Sequence, residues 1–329
     1  TNTYRLPRKY TIDTNKGQYL ESFLSNNHDA ERDYFYNFGY ERFGPVLYGF
    51  IKWMYEDFKK EGIQEVYFMA RDGYIMQKVY RELGYNNDIP DKYFEASRRS
   101  LRVPSYCDDY NLENVIKESP LLSTTNMEQL LDSLGLEISD YKEKIEKYGF
   151  TLEEHIKRDE LINNDQFIKF YEEIKQDVID NSSTEKENLI KYLKQYDFNK
   201  KIAIVDIGWG GSMQKNLIQT LDNQGISNNI TGYYLGLSKK SKQNLATNGY
   251  KAKGYLFDCL NNDTDKDVVI AFRPLFETLF LEQSGSVKCY ETHEDGKTVA
   301  VRYEYEYVKD GELSHEAKKV RNIQSGAVD

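Results

Sequence analysis

The sequence contains little cysteine. Its 329 residues include three, Cys107, Cys259 and Cys289, an odd number at wide spacing. Disulfide frameworks and zinc sites use cysteines in even sets or at short, regular spacings, so neither is predicted here. The four histidines lie in scattered polar contexts and add no metal-ligand pattern. We therefore expect a protein of the reducing cytoplasm.

Positive charge is also scarce. Lys and Arg number 44 against 54 Asp and Glu, which gives a net charge of −10. No overall field attracts nucleic acid, so an anionic substrate needs a local cluster of basic side chains. No apolar run approaches the ~18 residues of a membrane helix. The prediction is a cytoplasmic protein, free or peripheral at the inner face of the membrane. The chain begins with Thr1, as expected of a domain excised from a longer protein.

The segment 201–214 carries the most informative pattern. Ile202–Val205 is an unbroken apolar run, which predicts a strand buried on both faces of a parallel sheet. Asp206 is expected at the carboxyl end of that strand, and Ser212 at the N-cap of the following helix. Three glycines between them allow a tight turn and close approach to a ligand: Gly208, Gly210 and Gly211. The pattern predicts a phosphate or phosphosugar site, the alternative being an ordinary strand-to-helix turn.

Two further loops follow predicted strands in the first hundred residues. Val66–Ala70 is predicted as a buried strand before Arg71-Asp72-Gly73, and Lys92–Ala96 as a strand before Ser97-Arg98-Arg99-Ser100. An apolar helix face between the two strands completes a βαβ unit. Because ligands bind beyond the carboxyl ends of parallel strands, we expect these two loops and the glycine loop at one edge of the sheet.

The three loops together offer guanidinium groups, carboxylates and backbone N–H groups. Arg98 and Arg99 suit bidentate contact with phosphate, and Arg71 adds a third guanidinium beside Asp72 and the flexible Gly73. Two phosphate-binding surfaces with acidic groups between them predict a diphosphorylated sugar held with a divalent ion. Taken singly, each loop also permits a structural interpretation, such as a salt-bridged arginine pair.

Residues 111–196 have a polar, helical pattern without strand-like alternation. Helices are expected near 126–134, 138–148, 152–162 and 165–195. We predict a helical insertion or cap over 111–196, which either shapes an acceptor site or has only a structural role. The remaining 1–110 and 197–329 form an α/β core with N-terminal helices.

Other elements of this core are predicted from periodicity and turn residues. They are an arm over 1–15, short helices over Lys16–Ser25 and Ala30–Phe38, a long helix spanning Phe43 to Phe58 and ended by Gly62, strands Ile230–Leu237 and Tyr250–Phe257, a helix from Phe272 to Leu281, a β-hairpin of Ser286–Tyr290 with Val299–Val308, and a surface helix over 312–325.

The order of the three loops resembles that of the type I phosphoribosyltransferases. Ala-Arg-Asp-Gly (70–73) is similar to their first pyrophosphate loop, Arg98 and Arg99 to a second basic position, and Val-Asp-Ile-Gly-Trp-Gly-Gly-Ser (205–212) to the loop that holds ribose and its 5-phosphate. The third loop has one acidic residue, Asp206, where the usual pattern has two, and is about two residues shorter. A long helical stretch also separates the second and third loops.

A closer resemblance is to the glycan phosphoribosyltransferase domain of bacterial polysaccharide gene clusters. It covers most of the chain through Tyr-Phe-Met-Ala-Arg-Asp-Gly-Tyr (67–74), Glu-Ala-Ser-Arg-Arg-Ser-Leu (95–101), the 205–214 segment, Gly-Tyr-Glu-Arg-Phe-Gly-Pro (39–45) and the region from Phe276-Glu277 to Gly285-Ser286. The resemblance implies a phosphoribosyltransferase-like parallel sheet. It also implies transfer of 5-phosphoribosyl from phosphoribosyl diphosphate, with Mg²⁺, to a hydroxyl of a free or lipid-linked glycan. Members are often fused to a haloacid-dehalogenase-like phosphatase that removes the 5-phosphate.

The chemistry assigns expected roles to individual residues. Arg71, Arg98, Arg99 and Mg²⁺ stabilise the departing pyrophosphate. Asp206 holds the ribose hydroxyls, the metal or the oxocarbenium-like centre, and Asp72 and Glu277 are candidates for the general base. Glu277 is alternatively a carboxylate on a helix surface. Trp209 either stacks on a sugar ring or packs the loop.

Two other functions remain open from the sequence. A haloacid-dehalogenase-type phosphatase needs a second aspartate two residues after the first, a place that Gly208 occupies relative to Asp206. Asp263-Thr264-Asp265 and Asp265-Lys266-Asp267 have that spacing but lie in a polar stretch expected to be a loop. A non-catalytic module that binds phosphoribosyl diphosphate is the second alternative.

Overall fold

The computed structural model describes residues 32–119, 121–262 and 271–329. The predicted arm, the helix over Lys16–Ser25, the first residues of the helix predicted from Ala30 and the loop of Asp263 to Asp267 lie outside these residues. The predicted helix that ends at Phe38 is present as α1 (Tyr34–Phe38).

A five-stranded parallel sheet forms the centre of the molecule, built from β1 (Glu65–Met69), β2 (Asp91–Phe94), β5 (Lys201–Trp209), β6 (Asn229–Leu237) and β7 (Lys251–Asp258). The strand order across the sheet is β2-β1-β5-β6-β7. Each of the five strands lies where the sequence predicted a strand. Helices flank the sheet, so the predicted α/β class is confirmed. All five residues of β1 are buried, as the unbroken apolar run requires.

Strand order reverses direction between β1 and β5. From β1 the chain moves outward to β2, whereas from β5 it moves the other way through β6 to β7. At such a reversal, the chain segments that leave the two adjacent strands, here β1 and β5, run in opposite directions. A crevice therefore opens between them at the carboxyl ends of these two strands. The loops after β1 and β5 therefore border the expected ligand site.

Helices cover both faces of the sheet. On one face lie α2 (Gly44–Glu61) and α3 (Gly73–Glu82), whose apolar residues pack on Val66, Phe68 and Val205. Gly62, with φ of +66°, ends α2 as predicted. On the other face, α10 (Ser212–Asn223) and the end of α9 (Asp165–Leu193) pack on Ile202 and Ile204. Successive strand residues point to opposite faces, so Asp206 lies on the α10 side.

The predicted insertion has a core of its own, which starts at Val103 and extends to Val178. Its elements are α5 (Leu112–Glu118), β3 (Thr124–Thr125), α6 (Met127–Ser133), α7 (Lys142–Lys147), β4 (Ile156–Lys157), α8 (Arg158–Leu161) and the first part of α9. The helix predicted near 152–162 is wrong over its first part, because Ile156–Lys157 form β4, which pairs antiparallel with β3, and the helix there is only α8. Leu189 and Leu193 of α9 reach the core of the sheet, so one helix connects the two cores.

The C-terminal region contains the predicted hairpin, β8 (Val287–Thr292) with β9 (Thr298–Arg302). A second, short hairpin follows, β10 (Val308–Lys309) with β11 (Glu312–Leu313). The other α-helices of the described residues are α4 (Arg98–Arg102), α11 (Lys240–Asn244), α12 (Arg273–Phe280) and α13 (His315–Val328), and a π-helix (Gly39–Phe43) lies between α1 and α2. The last is more than a surface helix, because Ile323 and Ala327 are buried in the core. Among the described helices, none is long and apolar enough to cross a membrane.

Candidate functional site

A pocket of about 360 Å³ opens at the carboxyl ends of β1, β2 and β5. Nine of the residues singled out in the sequence line it: Arg71, Asp72, Arg98, Arg99, Asp206, Gly208, Gly211, Ser212 and Glu277. Trp209 and Gly210 line an adjacent pocket of about 500 Å³. Gly73 lines neither, since it begins α3 and packs against the backbone of Phe68. The three loops expected at one sheet edge do converge there.

Asp206 lies inside β5, which continues to Trp209 and so ends four residues later than predicted. Its side chain is 8% exposed, and Oδ1 accepts a hydrogen bond of 2.8 Å from the Ile207 N–H. Its second oxygen, Oδ2, makes no hydrogen bond with the described residues, and Asp206 lines the pocket, so Oδ2 is the oxygen left for a ligand. A strand is a more rigid support for a reacting group than the loop expected from the sequence.

Asp72 and Asp206 both line the pocket and form an acidic pair, in which the charge of Asp206 acts on Asp72. Loss of solvation, followed by the charges of Asp206 and Glu277, raises the pKa of Asp72 from 3.8 to about 8. Loss of solvation and the charge of Glu277 likewise raise the pKa of Asp206 to about 7, against a lowering by the Ile207 N–H and Arg98. Since two nearby carboxylates disfavour double ionisation, the pair retains a proton near neutral pH. A group of this kind can accept or release a proton during a reaction.

The raised pKa predicts that Asp72→Asn stabilises the protein increasingly as pH rises. A folded-state pKa above the unfolded value makes ionisation costly in the folded state. That cost is absent below about pH 4, grows with pH and is complete above about pH 8. We expect the Tm of the variant to exceed that of the native protein by roughly 2 °C or more at pH 8.5, with little difference at pH 4. Thermal unfolding followed by circular dichroism across this range measures the effect.

Asp140→Asn is the control for this experiment, because Asp140 is exposed. Its Tm difference from the native protein should not change between pH 4 and pH 8.5. A pH-independent difference for Asp72→Asn as well would show that Asp72 does not titrate as described.

The glycine turn after β5 places an uncapped helix end at the pocket. Gly211, not Ser212 as predicted, is the N-cap of α10, with φ of +68° and no capping side chain. A Cβ at Gly211 would lie 2.6 Å from Leu245 Cδ1, and one at Gly208 would lie 2.3 Å from the Gly236 carbonyl oxygen. The first N–H groups of α10 have no partner within the helix, so they can donate to an anion.

The three arginines of the site have different environments. Arg98 is exposed, lines both pockets and makes no hydrogen bond or ion pair with any described residue. Arg71 donates to both Glu306 oxygens, at 2.8 and 2.9 Å, and to the Ser284 carbonyl. The Glu306 side chain is 47% exposed, so an anionic ligand can compete with it for Arg71. Of the three, Arg98 is thus the one already free for an anion.

Arg99 has a structural role in the described contacts. Its side chain is 8% exposed, and the guanidinium donates to both oxygens of Glu185, at 3.2 and 3.3 Å. It also donates to the carbonyl groups of Asp132 and Lys288. The predicted phosphate contact is therefore not supported, because the donors of Arg99 already bind the insertion to the β8–β9 hairpin.

Trp209 and Glu277 form a connected pair. The indole is 4% exposed and stacks on Phe257, with ring centroids 5.7 Å apart, so the described contacts give it a packing role instead of sugar stacking. Its Nε1–H donates to Glu277 Oε1 at 3.0 Å. Glu277 consequently faces the pocket, contrary to the interpretation as a carboxylate on a solvent-facing helix surface.

The adjacent pocket contains basic residues that the sequence did not indicate. Lys240 and Arg273 line it together with Arg98, Ser212 and Ser238. Lys240 follows β6, so the rule that placed the other loops at this edge also applies to it. Arg273 comes from α12, a helix distant in sequence, and no local pattern identifies it. The two pockets share Arg98, Ser212 and Glu277 and form a continuous acidic-to-basic surface.

Among the described residues, no group of three or more His, Cys, Asp or Glu side chains is arranged to bind a metal ion. Neither a comparison with protein-family models nor a search of curated proteins found a match to this chain. The functional argument therefore depends on the geometry of the two pockets.

Proposed function

We propose that the protein transfers 5-phosphoribosyl from phosphoribosyl diphosphate to a glycan hydroxyl in bacterial surface polysaccharide (capsule or O-antigen) biosynthesis, releasing pyrophosphate. The observation that carries the proposal is the acidic pair of Asp72 and Asp206 at the β1/β5 crevice. This pair faces the same space as Arg98 and the free end of α10. Carboxylates between two anion-binding surfaces match a ribose ring that carries phosphate groups at both ends.

The adjacent basic pocket suits the 5-phosphate. There the uncapped end of α10 supplies N–H donors, and Lys240 makes no hydrogen bond or ion pair with any described residue. The diphosphate would then lie near Arg98, with Arg71 available once Glu306 is displaced. Both guanidinium groups can make charge-assisted contacts to phosphate oxygens.

A divalent ion fits this arrangement without a protein cage. Mg²⁺ is commonly held by one or two carboxylates together with substrate phosphates. Asp206, which lines the pocket, would supply such a ligand, and Asp72 a second. When bound, Mg²⁺ neutralises charge on the diphosphate.

The reaction forms a bond between the acceptor oxygen and ribose C1 and breaks the bond from C1 to the diphosphate. Asp206 stabilises the positive charge that develops on the ring, and Arg98 the negative charge on the leaving group. The hydroxyl proton passes to a carboxylate of the pocket, and Asp72 and Glu277, which both line it, are the two candidates for this base. Hydrolysis of the 5-phosphate would require a separate or fused phosphatase.

The proposed setting is the cytoplasm, free or peripheral at the inner face of the membrane, with a free or lipid-linked acceptor. Nucleic acid is not a proposed partner, given the net charge of −10. A haloacid-dehalogenase-type phosphatase is the less suitable alternative, because Gly208 occupies the place of its second aspartate and a side chain there would meet Gly236.

Pyrophosphate release from phosphoribosyl diphosphate tests the proposal. We expect release that requires both Mg²⁺ and a glycan acceptor. Binding of the donor without release, across a broad acceptor panel, would support a non-catalytic binding module. Release of inorganic phosphate without pyrophosphate would support a phosphatase, and absence of donor binding would contradict the proposal.

A further inference from the structure

A second polar pocket, of about 250 Å³, lies beside the site between α4 and α10. Both helices run from one pocket to the other. Arg98 and Ser212 begin these helices in the candidate site, and Arg102 and Asn216 line the second pocket one turn later. One turn of four residues advances about 6 Å along a helix, so the two pockets are neighbours along one groove.

The α10 wall of this groove is polar but uncharged. Asn216, Gln219, Thr220 and Asn223 recur at the spacing of one helix face and line the pocket. The side-chain amides of Asn216 and Gln219 make no hydrogen bond with any described residue. Charged residues make up 30% of the chain and already provide solubility. An uncharged row of amide and hydroxyl side chains on a solvent-facing helix therefore indicates another role, such as ligand binding.

The opposite wall carries balanced charge. Lys186 is paired with Asp108 at 2.6 Å, and Asp109 accepts a hydrogen bond of 3.0 Å from Asn114. Arg102 also lines the pocket, and its guanidinium lies over the Tyr106 ring, 5.3 Å from the ring centroid. Two basic and two acidic residues line the pocket, so it provides no net field for an anion such as phosphate.

We propose that this groove, lined by Arg102, Asn216, Gln219, Thr220 and Asn223, binds neutral sugar units of the acceptor glycan beyond the reacting hydroxyl. Sugar hydroxyls both donate and accept hydrogen bonds, as amide side chains do. Its identification as an acceptor site rests on the proposed function, whereas binding of neutral sugars does not.

Binding to a printed array of bacterial surface oligosaccharides tests the groove. The native protein should bind at least one neutral oligosaccharide, and Asn216→Ala/Gln219→Ala should bind it about tenfold more weakly or worse. Alanine is favoured in helices, so this variant is expected to fold. Asn163→Ala/Gln166→Ala is the matched control, since both residues are exposed, lie outside the pockets and have the same spacing; its binding should match that of the native protein.

Calorimetry with phosphoribosyl diphosphate and Mg²⁺ separates the two proposals. If the donor binds but no neutral glycan does, or if the groove variant binds glycan as the native protein does, the groove proposal is wrong and the proposed function stands. If glycan binding depends on Asn216 and Gln219 but the donor does not bind, the groove is confirmed and the proposed function is wrong.

Discussion

Asp206→Asn is expected to lower the rate of phosphoribosyl transfer about 10²–10³-fold, the usual effect of removing one charge-stabilising group from an active site. The carboxylate lies on the rigid strand β5, with Oδ1 held by the Ile207 N–H and Oδ2 available to the ligand. Asparagine keeps the shape and the accepting Oδ1 but carries no negative charge. The substitution should therefore lower kcat, whereas binding of the donor should be retained in part.

Pyrophosphate release and calorimetric donor binding, measured on the same preparations, separate these effects. Asp140→Asn again serves as the exposed control and should retain native activity. Unfolding temperatures of both variants report on the fold. If Asp206→Asn transfers at the native rate, Asp206 does not act in the reaction and the site assignment is wrong.

Arg98→Ala and Arg99→Ala should have opposite consequences although the residues are adjacent. Arg98 has no partner among the described residues, so its loss should leave stability within about 0.5 kcal/mol and weaken donor binding about 10- to 100-fold. Arg99→Ala leaves the buried Glu185 without its ion pair, which should cost about 3–5 kcal/mol of unfolding free energy.

Urea unfolding and calorimetric titration with phosphoribosyl diphosphate measure the two quantities. Lysine variants refine the comparison, because lysine keeps the charge but cannot form the paired contact with Glu185. Arg98→Lys should retain part of the donor affinity, whereas Arg99→Lys should still destabilise. A stable Arg99→Ala with weakened donor binding would assign the phosphate contact to Arg99 instead.

The main strands and the position of the three loops could be predicted because they depend on local patterns. Apolar runs such as Ile202–Val205 identify buried strands, and residues just after parallel strands must meet at one edge. The end of β5 was harder to predict, because Asp206 and Gly208 interrupt the apolar pattern. Pairing with β6 nevertheless continues to Trp209 and Leu237.

The roles of Arg99 and Trp209 could not be predicted, since they depend on contacts distant in sequence. Glu185, which binds Arg99, lies 86 residues away on α9, and Glu277, which accepts from Trp209, lies 68 residues away. A local motif shows that a guanidinium or an indole is near the site. It does not show which partner has already engaged it.

The most direct test of the proposed activity is the mass of a glycan incubated with the protein, phosphoribosyl diphosphate and Mg²⁺. We predict a gain of one phosphoribosyl unit on at least one bacterial surface glycan, and a gain about 10²–10³-fold slower with Asp206→Asn. Unchanged masses across a panel that includes the oligosaccharides bound on the array would contradict phosphoribosyl transfer.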